Sequence, residues 1–326
     1  MDKSWLKLSK DYWDLRLLDA KIILKRMKGN LFSLVGVAII AFFIGVALSA
    51  PILAPPKLGT EAYVLERETR YKYSTITPPP SRPSSSHPFG TLEGYDIYYG
   101  CIWGTRTVLR TCLEVTLIAL AAGLFIGCVA GYFGGLIDEF LMRFTDMFLG
   151  FPSLLLAMLL IVTTRTELPI NVSPVSFAQA AGLDKIILAL AAKGWMTYAR
   201  LIRGEVMKVK SENYVEAAKA VGCSNFRIVT RHILSNSIYP IIVMVSMGVG
   251  GVALDTAILS FLKIGIPMGY ADWTPFIAAS RNWITSSFEY AYTFLAPSAF
   301  LVVFILGWTL LGDTLRDMLD PMMRRK

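Results

Sequence analysis

The sequence predicts an all-α polytopic membrane protein with six transmembrane helices and both termini in the cytoplasm. Composition carries the first part of that reading. Of 326 residues, 54% are hydrophobic and only 17% are charged, where soluble domains carry about 25% charged residues. Uncharged runs of about 20 residues, enough to cross a bilayer as a helix, carry the second. The third is the distribution of basic residues. With six crossings and the N-terminus inside, roughly 21 Lys and Arg fall on the cytoplasmic side and roughly 11 outside, the bias expected of cytoplasmic loops. The same bias accounts for the net charge of +8 and leaves no reason to invoke a nucleic-acid partner.

Taken in order, residues 1–30 hold eight Lys or Arg among Trp5, Leu6, Leu8, Trp13, Leu17, Leu18, Ile22 and Ile23. Apolar residues three and four apart predict a cytoplasmic amphipathic helix, lying on the membrane surface or against the protein's own spans. No cleavable signal is expected, because this region is charged and the apolar run starts late. Residues 31–54 contain no charge and form the first span; Lys25, Arg26 and Lys28 hold its start on the cytoplasmic side. Residues 55–110 are an external segment, with Pro78, Pro79, Pro80, Pro83 and Pro88 among serines, a composition that favours extended or irregular chain. His87 has no cluster of metal-ligating partners in sequence and is read as a local hydrogen-bonding residue.

Residues 111–313 form the core, with five further spans. The second, 111–131, repeats Gly123, Gly127 and Gly131 every four residues, a pattern that lets helices approach closely. Glu114 near its outer end is read as reaching water. A short turn with Asp138, Glu139, Arg143 and Asp146 leads to the third span at 149–164, opened by Phe151-Pro152. After an external loop, the fourth span at 185–204 is interrupted by Lys193, Arg200 and Arg203. The fifth covers 237–260. Residues 261–293, with Pro267, Trp273, Pro275 and Trp283, suit a re-entrant or interfacial segment. The sixth covers 294–312, and 314–326 form a cytoplasmic tail. Cys101, Cys112, Cys128 and Cys223 lack CxxC spacing; only Cys101 and Cys112 share a compartment in which a disulfide could form.

The polar stretch 205–236 faces the cytoplasm on this count. Tyr214 to Val221 are good helix formers, and Ala217, Ala218 and Ala220 leave the backbone open to close approach. Gly222 suits the left-handed turn that ends a helix. Ser224-Asn225 can cap a second helix through Arg227, Ile228, Arg231 and Ile233, which meets the fifth span at Pro240. The product is a short helix–turn–helix across the membrane face, with Glu216 offering a charge to a partner. An ordinary polar loop is the other reading of the same pattern.

Glu216-Ala217-Ala218 followed by Gly222 resembles the EAA signature of inner-membrane permeases of ABC importers, in their dipeptide/oligopeptide branch. Further matches appear in order: His87-Pro88-Phe89-Gly90-Thr91; Gly104 and Arg106; Gly131-Tyr132-Phe133-Gly134-Gly135; Asp138, Arg143, Asp146 and Phe151-Pro152; Gly194-Trp195 and Tyr198-Ala199-Arg200; Leu259-Ser260-Phe261-Leu262; Leu311-Gly312-Asp313 and Leu319-Asp320-Pro321. The resemblance covers roughly residues 25–321. There are departures. Leu92-Glu93-Gly94-Tyr95-Asp96 is one residue shorter than usual and lacks an Arg, Lys263 replaces a glycine, and Ser235 replaces a proline.

The resemblance implies a type I ABC importer permease fold in the cell membrane of a bacterium or archaeon. Its coupling residues would be Tyr214, Glu216, Ala217, Ala218, Gly222, Ser224 and Arg231. The implied partners are a second homologous permease subunit, two ABC ATPase subunits, an extracytoplasmic substrate-binding protein and the lipid membrane. No GxxxxGK[ST] loop occurs in the chain, so no cofactor is expected here; ATP and Mg²⁺ belong to the ATPase subunits. The implied cargo is di- or oligopeptide, with oligosaccharides or nickel carried by the same machinery as the alternative. An ion-coupled secondary transporter would need acidic residues near midspan, for which only Glu114 and Asp255 are candidates. No HExxH, GxSxG or carboxylate pair in the spans supports a membrane enzyme.

Overall fold

The computed structural model describes residues 30–56, 62–68, 77–163 and 183–319. The expected N-terminal amphipathic helix lies outside them. Nearly all of what is described is helical. The first helix, α1 (Leu31–Leu53), starts where the Asn30 side chain accepts the Phe32 N–H at 3.0 Å. It ends after Pro51, with Pro55-Pro56 beyond it, where further backbone hydrogen bonding is blocked.

The Pro-rich external segment is partly built into the fold. Residues 63–65 run alongside 269–271, joined by Leu65 N–H to Gly269 O at 2.7 Å and Ala271 N–H to Tyr63 O at 2.8 Å. A hairpin follows: β1 (Thr91–Leu92) pairs antiparallel with β2 (Tyr95–Asp96). Glu93 and Gly94 both have positive φ (54° and 82°), as a tight two-residue hairpin turn with right-handed strand twist requires. The shortened segment therefore makes a compact turn. His87 Nδ1 lies 3.0 Å from Asp96 Oδ2, and its other nitrogen faces Glu68 at 3.7 Å, so the residue does serve local hydrogen bonding.

Asp96 also starts α2 (Ile97–Phe133), its carboxylate accepting the N–H groups of Tyr98 and Tyr99. This cap moves the helix start 14 residues ahead of the expected span at 111, so residues 97–110 are helical. Cys101 and Cys112 are buried free thiols on that one helix. Eleven residues of helix place them about 16 Å apart along the axis, too far for a disulfide, so the one pairing the sequence allowed is ruled out.

The stretch read as a short turn is itself a helix, α3 (Gly135–Leu149). Leu136, Ile137, Phe140, Phe144 and Met147 give it a continuous apolar face, all five well exposed. Gly150 and Pro152 separate it from α4 (Ser153–Thr163), and the two helices meet at 84°. The region expected to hold the third span is thus a bent helix pair. Next, α5 (Leu183–Lys210) is longer than the expected 185–204. It is followed by α6 (Asn213–Ala220) and by α7, continuous from Asn225 to Phe261 with a π-helical turn at Ile228–Ile233. A helix buried over its first turns, α8 (Trp273–Ser286), then precedes α9 (Tyr292–Leu319), so helix extends past the expected end of the sixth span into the tail.

Among the described residues, four helices (α1, α2, α7 and the stretch Phe288–Met318 around α9) are long and apolar enough to cross a membrane, or five if the bent pair α3–α4 is counted as one span. Helix α5 is long enough, at about 42 Å, but too charged to count on composition.

Two close helix crossings organise the packing. A Cβ at Gly307 of α9 would sit 2.6 Å from Ile39 Cγ2 of α1. The larger seam joins α2 to α5, where Gly123, Gly127 and Gly131 abut Tyr198, Ala199, Ile202 and Val206. The glycine repeat read from the sequence is this seam. Where α1, α8 and α9 meet, Phe43, Trp273, Phe300 and Phe304 pack at ring-centroid distances of 5.3 to 6.0 Å, edge-on except for the tilted Phe43–Trp273 pair. Trp273 donates to Cys101 O at 2.9 Å and Trp103 to Ala54 O at 2.8 Å, satisfying the indole N–H groups that burial would otherwise strand. The start of α8 is therefore buried in the core of the fold.

Candidate functional site

The polar stretch 205–236 folds as three pieces: the end of α5, the short α6, and the start of α7. Helix α6 is rooted by one side chain. Val215 is fully buried, packed with Val206, Val209, Ile228 and Ile233 in a cluster beneath the loop. The remainder of the helix faces outward. Glu216, Ala217, Lys219 and Ala220 are exposed and Ala218 is half-buried; Tyr214 is 42% exposed, Val221 84% and Phe226 78%. Small and apolar groups thus form the outer surface of this element, an arrangement that marks interaction sites.

Gly222 ends α6 as its sequence context suggests. Its φ is 85°, its N–H reaches Lys219 O at 2.9 Å, and the Cys223 N–H reaches back to Ala218 O at 3.1 Å. That pair of bonds satisfies the last carbonyls of the helix and turns the chain back. Ser224 then adopts the extended conformation of a cap, but its hydroxyl makes no capping bond; the start of α7 is held differently. Among the described residues, Glu216 and Arg231 are exposed and make no ion pair. Tyr214 bonds through its phenol to Asn236, while burial and the nearby Glu212 charge raise its pKa. The structure therefore brings Tyr214, Glu216, Ala217, Ala218 and Gly222 onto one element, with Ser224 at the next turn and Arg231 on the π-helical turn.

Several residues that matter to this region were not legible as partners. Tyr132, at the C-terminal end of α2, is 7% exposed and donates from its hydroxyl to Asn225 Oδ1 at 2.7 Å. Lys210 Nζ donates to Tyr132 O at 2.5 Å. Arg203 binds Asp138 through two nitrogens at 2.5 and 2.7 Å, and Arg200 binds Asp146 at 2.5 Å through its closer nitrogen. Both pairs join α5 to α3. The sequence signal was present but unpaired: two aspartates eight residues apart lie on one face of a helix, as do two arginines three apart. Farther out, Lys193 Nζ lies 2.5 Å from Asp255 Oδ2 and Arg110 Nε 2.7 Å from Glu114 Oε1. The two acidic residues available to an ion-coupled carrier are thus each held by a base.

Residues 123–325 match the family described as binding-protein-dependent transport system inner membrane component. The chain belongs to that family. The matched region contains the whole α6 surface and the glycine seam, and leaves out α1 and the external segment. Over 304 residues the permease is 33% identical to the dipeptide transport system permease protein DppC of Alkalihalophilus pseudofirmus, covering 92% of this chain and 89% of that one. It is 30% identical over 303 residues to the oligopeptide transport system permease protein OppC of Bacillus subtilis, covering 92% and 88%. It is also 30% identical over 246 residues to the nickel transport system permease protein NikC of Escherichia coli K12, covering 74% and 82%. Family membership and the apolar helices together make the permease a multi-pass membrane protein.

Proposed function

We propose that this permease is the transmembrane subunit of an ATP-driven ABC importer, moving di- or oligopeptides delivered by an external binding protein. The observation that carries the reading is the outer surface of α6. A helix rooted by Val215 and closed by Gly222 presents Glu216 with no ion pair among the described residues, beside Ala217, Ala220 and Val221. A nucleotide-binding partner would accept this ridge in a groove and pair a base with Glu216, which pairs with none of the described residues. Tyr214, Ala218, Ser224 and Arg231 would flank or support the contact. ATP and Mg²⁺ would be held by the two ATPase subunits, and a second homologous permease would complete the pathway.

Six crossings with both termini inside follow if α5 is a span. Its basic residues support that reading: Lys193, Arg200 and Arg203 are each matched to a carboxylate, as charged groups inside a membrane must be. The crossings are then α1, α2, the α3–α4 pair, α5, α7 and α9, and 205–236 is cytoplasmic. The boundaries of residues 1–30, 55–110, 111–313 and 314–326 as topological units belong to the same proposal. Peptide cargo rests on the dipeptide and oligopeptide relatives; the nickel relative supports the same machinery with another solute.

Glu216→Lys tests the docking role. Reversing one charge of an interfacial pair costs several kcal/mol, so ATPase subunits that copurify with the wild-type permease should be recovered at least about tenfold less with the variant. The variant's own membrane yield should be unchanged, because Glu216 is exposed. Recovery at the wild-type ratio would refute the assignment.

A further inference from the structure

We propose that Tyr132 is the positioning residue through which the 205–236 loop grips the second span and transmits its displacement. The inference rests on the reading of that loop as the ATPase-coupling element. Within the loop, three pieces must move together to do work on the membrane: the end of α5, α6, and the start of α7. One residue outside the loop touches all three. The Tyr132 hydroxyl donates to Asn225, the first residue of α7. The Tyr132 carbonyl accepts from Lys210, the last residue of α5. Its ring faces Lys210 Nζ at 5.7 Å and Lys219 Nζ of α6 at 5.9 Å, within range of attraction between an ammonium and an aromatic face.

The location explains why these contacts matter. Gly134 and Gly135 follow with φ of 69° and 58°, so α2 ends here and α3 leaves in a new direction. A push on α6 therefore enters α2 at its last helical turn. From there it passes to the seam at Gly131, Gly127 and Gly123, which binds α2 to α5 along its length. The π-helical turn at Ile228–Ile233 separates the gripped Asn225 from the membrane part of α7. Such turns interrupt regular helical bonding and are frequent at functional sites. The loop is tied rigidly to α2 and α5 and joined to α7 through a softer link.

The test uses the complete complex, with both permeases, the ATPase subunits and the binding protein, reconstituted in liposomes. Uptake of a dipeptide and ATP hydrolysis are measured in the same vesicles, and ATPase copurification is measured alongside. Tyr132→Phe keeps the ring and removes the bond to Asn225; a single net hydrogen bond corresponds to about a fivefold change, expected as lower uptake per ATP. Tyr132→Leu also removes the ring's contacts to both lysines, leaving only the Lys210 bond to the backbone carbonyl, and should lower the ratio at least about tenfold. Asn225→Ala should reproduce Tyr132→Phe, and the double variant should be no worse than either single one. A merely structural role would change yield or both activities together and leave the ratio at the wild-type value, which would overturn the proposal. So would additive effects of the two substitutions, or loss of ATPase copurification in the Tyr132 variants. If Tyr132→Leu fails to reach the membrane, Tyr132→Phe and Asn225→Ala carry the same test. Failure of the underlying loop reading is separate: it shows as normal copurification in Glu216→Lys.

Discussion

The seam between α2 and α5 yields a stability difference that can be worked from its geometry. A Cβ added at Gly127 would sit 2.6 Å from Ala199 O, 2.9 Å from Ile202 Cβ and 3.0 Å from Arg203 N. Non-bonded atoms prefer about 3.5 Å or more, and two of these three neighbours are backbone, so a rotamer change cannot make room. Relieving the closest contact would require the helices to part by roughly 0.9 Å, counted from the usual contact distance. Gly123 and Gly131 lie on the same line, so the separation propagates along the seam. Overpacking of this kind costs about 1–3 kcal/mol. Replacing a helical glycine by alanine also gains about 1 kcal/mol of helix propensity, which would blur a single measurement. Gly204 supplies the control: it lies on α5, and a Cβ there meets nothing within 4 Å. Gly204→Ala collects the propensity gain alone, so the difference between the two variants isolates the packing term. For a chain of 326 residues about 1 kcal/mol moves a melting midpoint by about 1–2 °C. Gly127→Ala should therefore melt a few degrees below Gly204→Ala in detergent, followed by thermal scanning fluorimetry. A Gly127→Ala midpoint at or above that of Gly204→Ala would refute the account of the seam.

Two further outcomes follow from individual backbone and side-chain positions. Lys263 has φ of 61° and closes α7 with the same pair of bonds that Gly222 makes after α6, to Ser260 O and from the next residue to Leu259 O. A side chain in that conformation costs about 1–2 kcal/mol, so Lys263→Gly should raise the melting midpoint by a few degrees; a fall would contradict the strain. Asp272 caps α8 by accepting the Thr274 N–H, and burial pushes its carboxyl up to about 6 from 3.8. A raised folded pKa means stability that is present below the unfolded value and lost as pH rises through about 6. Thermal melts between pH 4.5 and 7.5 should therefore fall for the wild type and flatten for Asp272→Asn, which keeps the capping oxygen. An equal fall in both would exclude Asp272 as its source.

What the sequence by itself determined is local. A span needs about 20 uncharged residues in a row, and residues 31–53, the middle of α2, α7 and α9 meet that condition without reference to any other part of the chain. The α6 surface was legible for the same reason: small residues, a charge and a helix-ending glycine lie within nine positions of one another. Gly222 could be assigned its left-handed turn because that need depends on its own backbone. The glycine repeat in α2 announced a close crossing, although its partner, α5, could not be named from it. Tertiary structure decided everything that required two distant residues at once. Asp146 and Arg200 are 54 positions apart, Asp138 and Arg203 are 65, and Tyr132 and Asn225 are 93. No periodicity within a window connects such pairs. They nevertheless determine whether the charged α5 can lie in a membrane and how the loop is held to α2. The burial of α8 and the folding of the external segment onto residues 269–271 have the same origin. Hydropathy is a property of each residue in its local run, whereas pairing and burial belong to surfaces that exist only once the helices have packed.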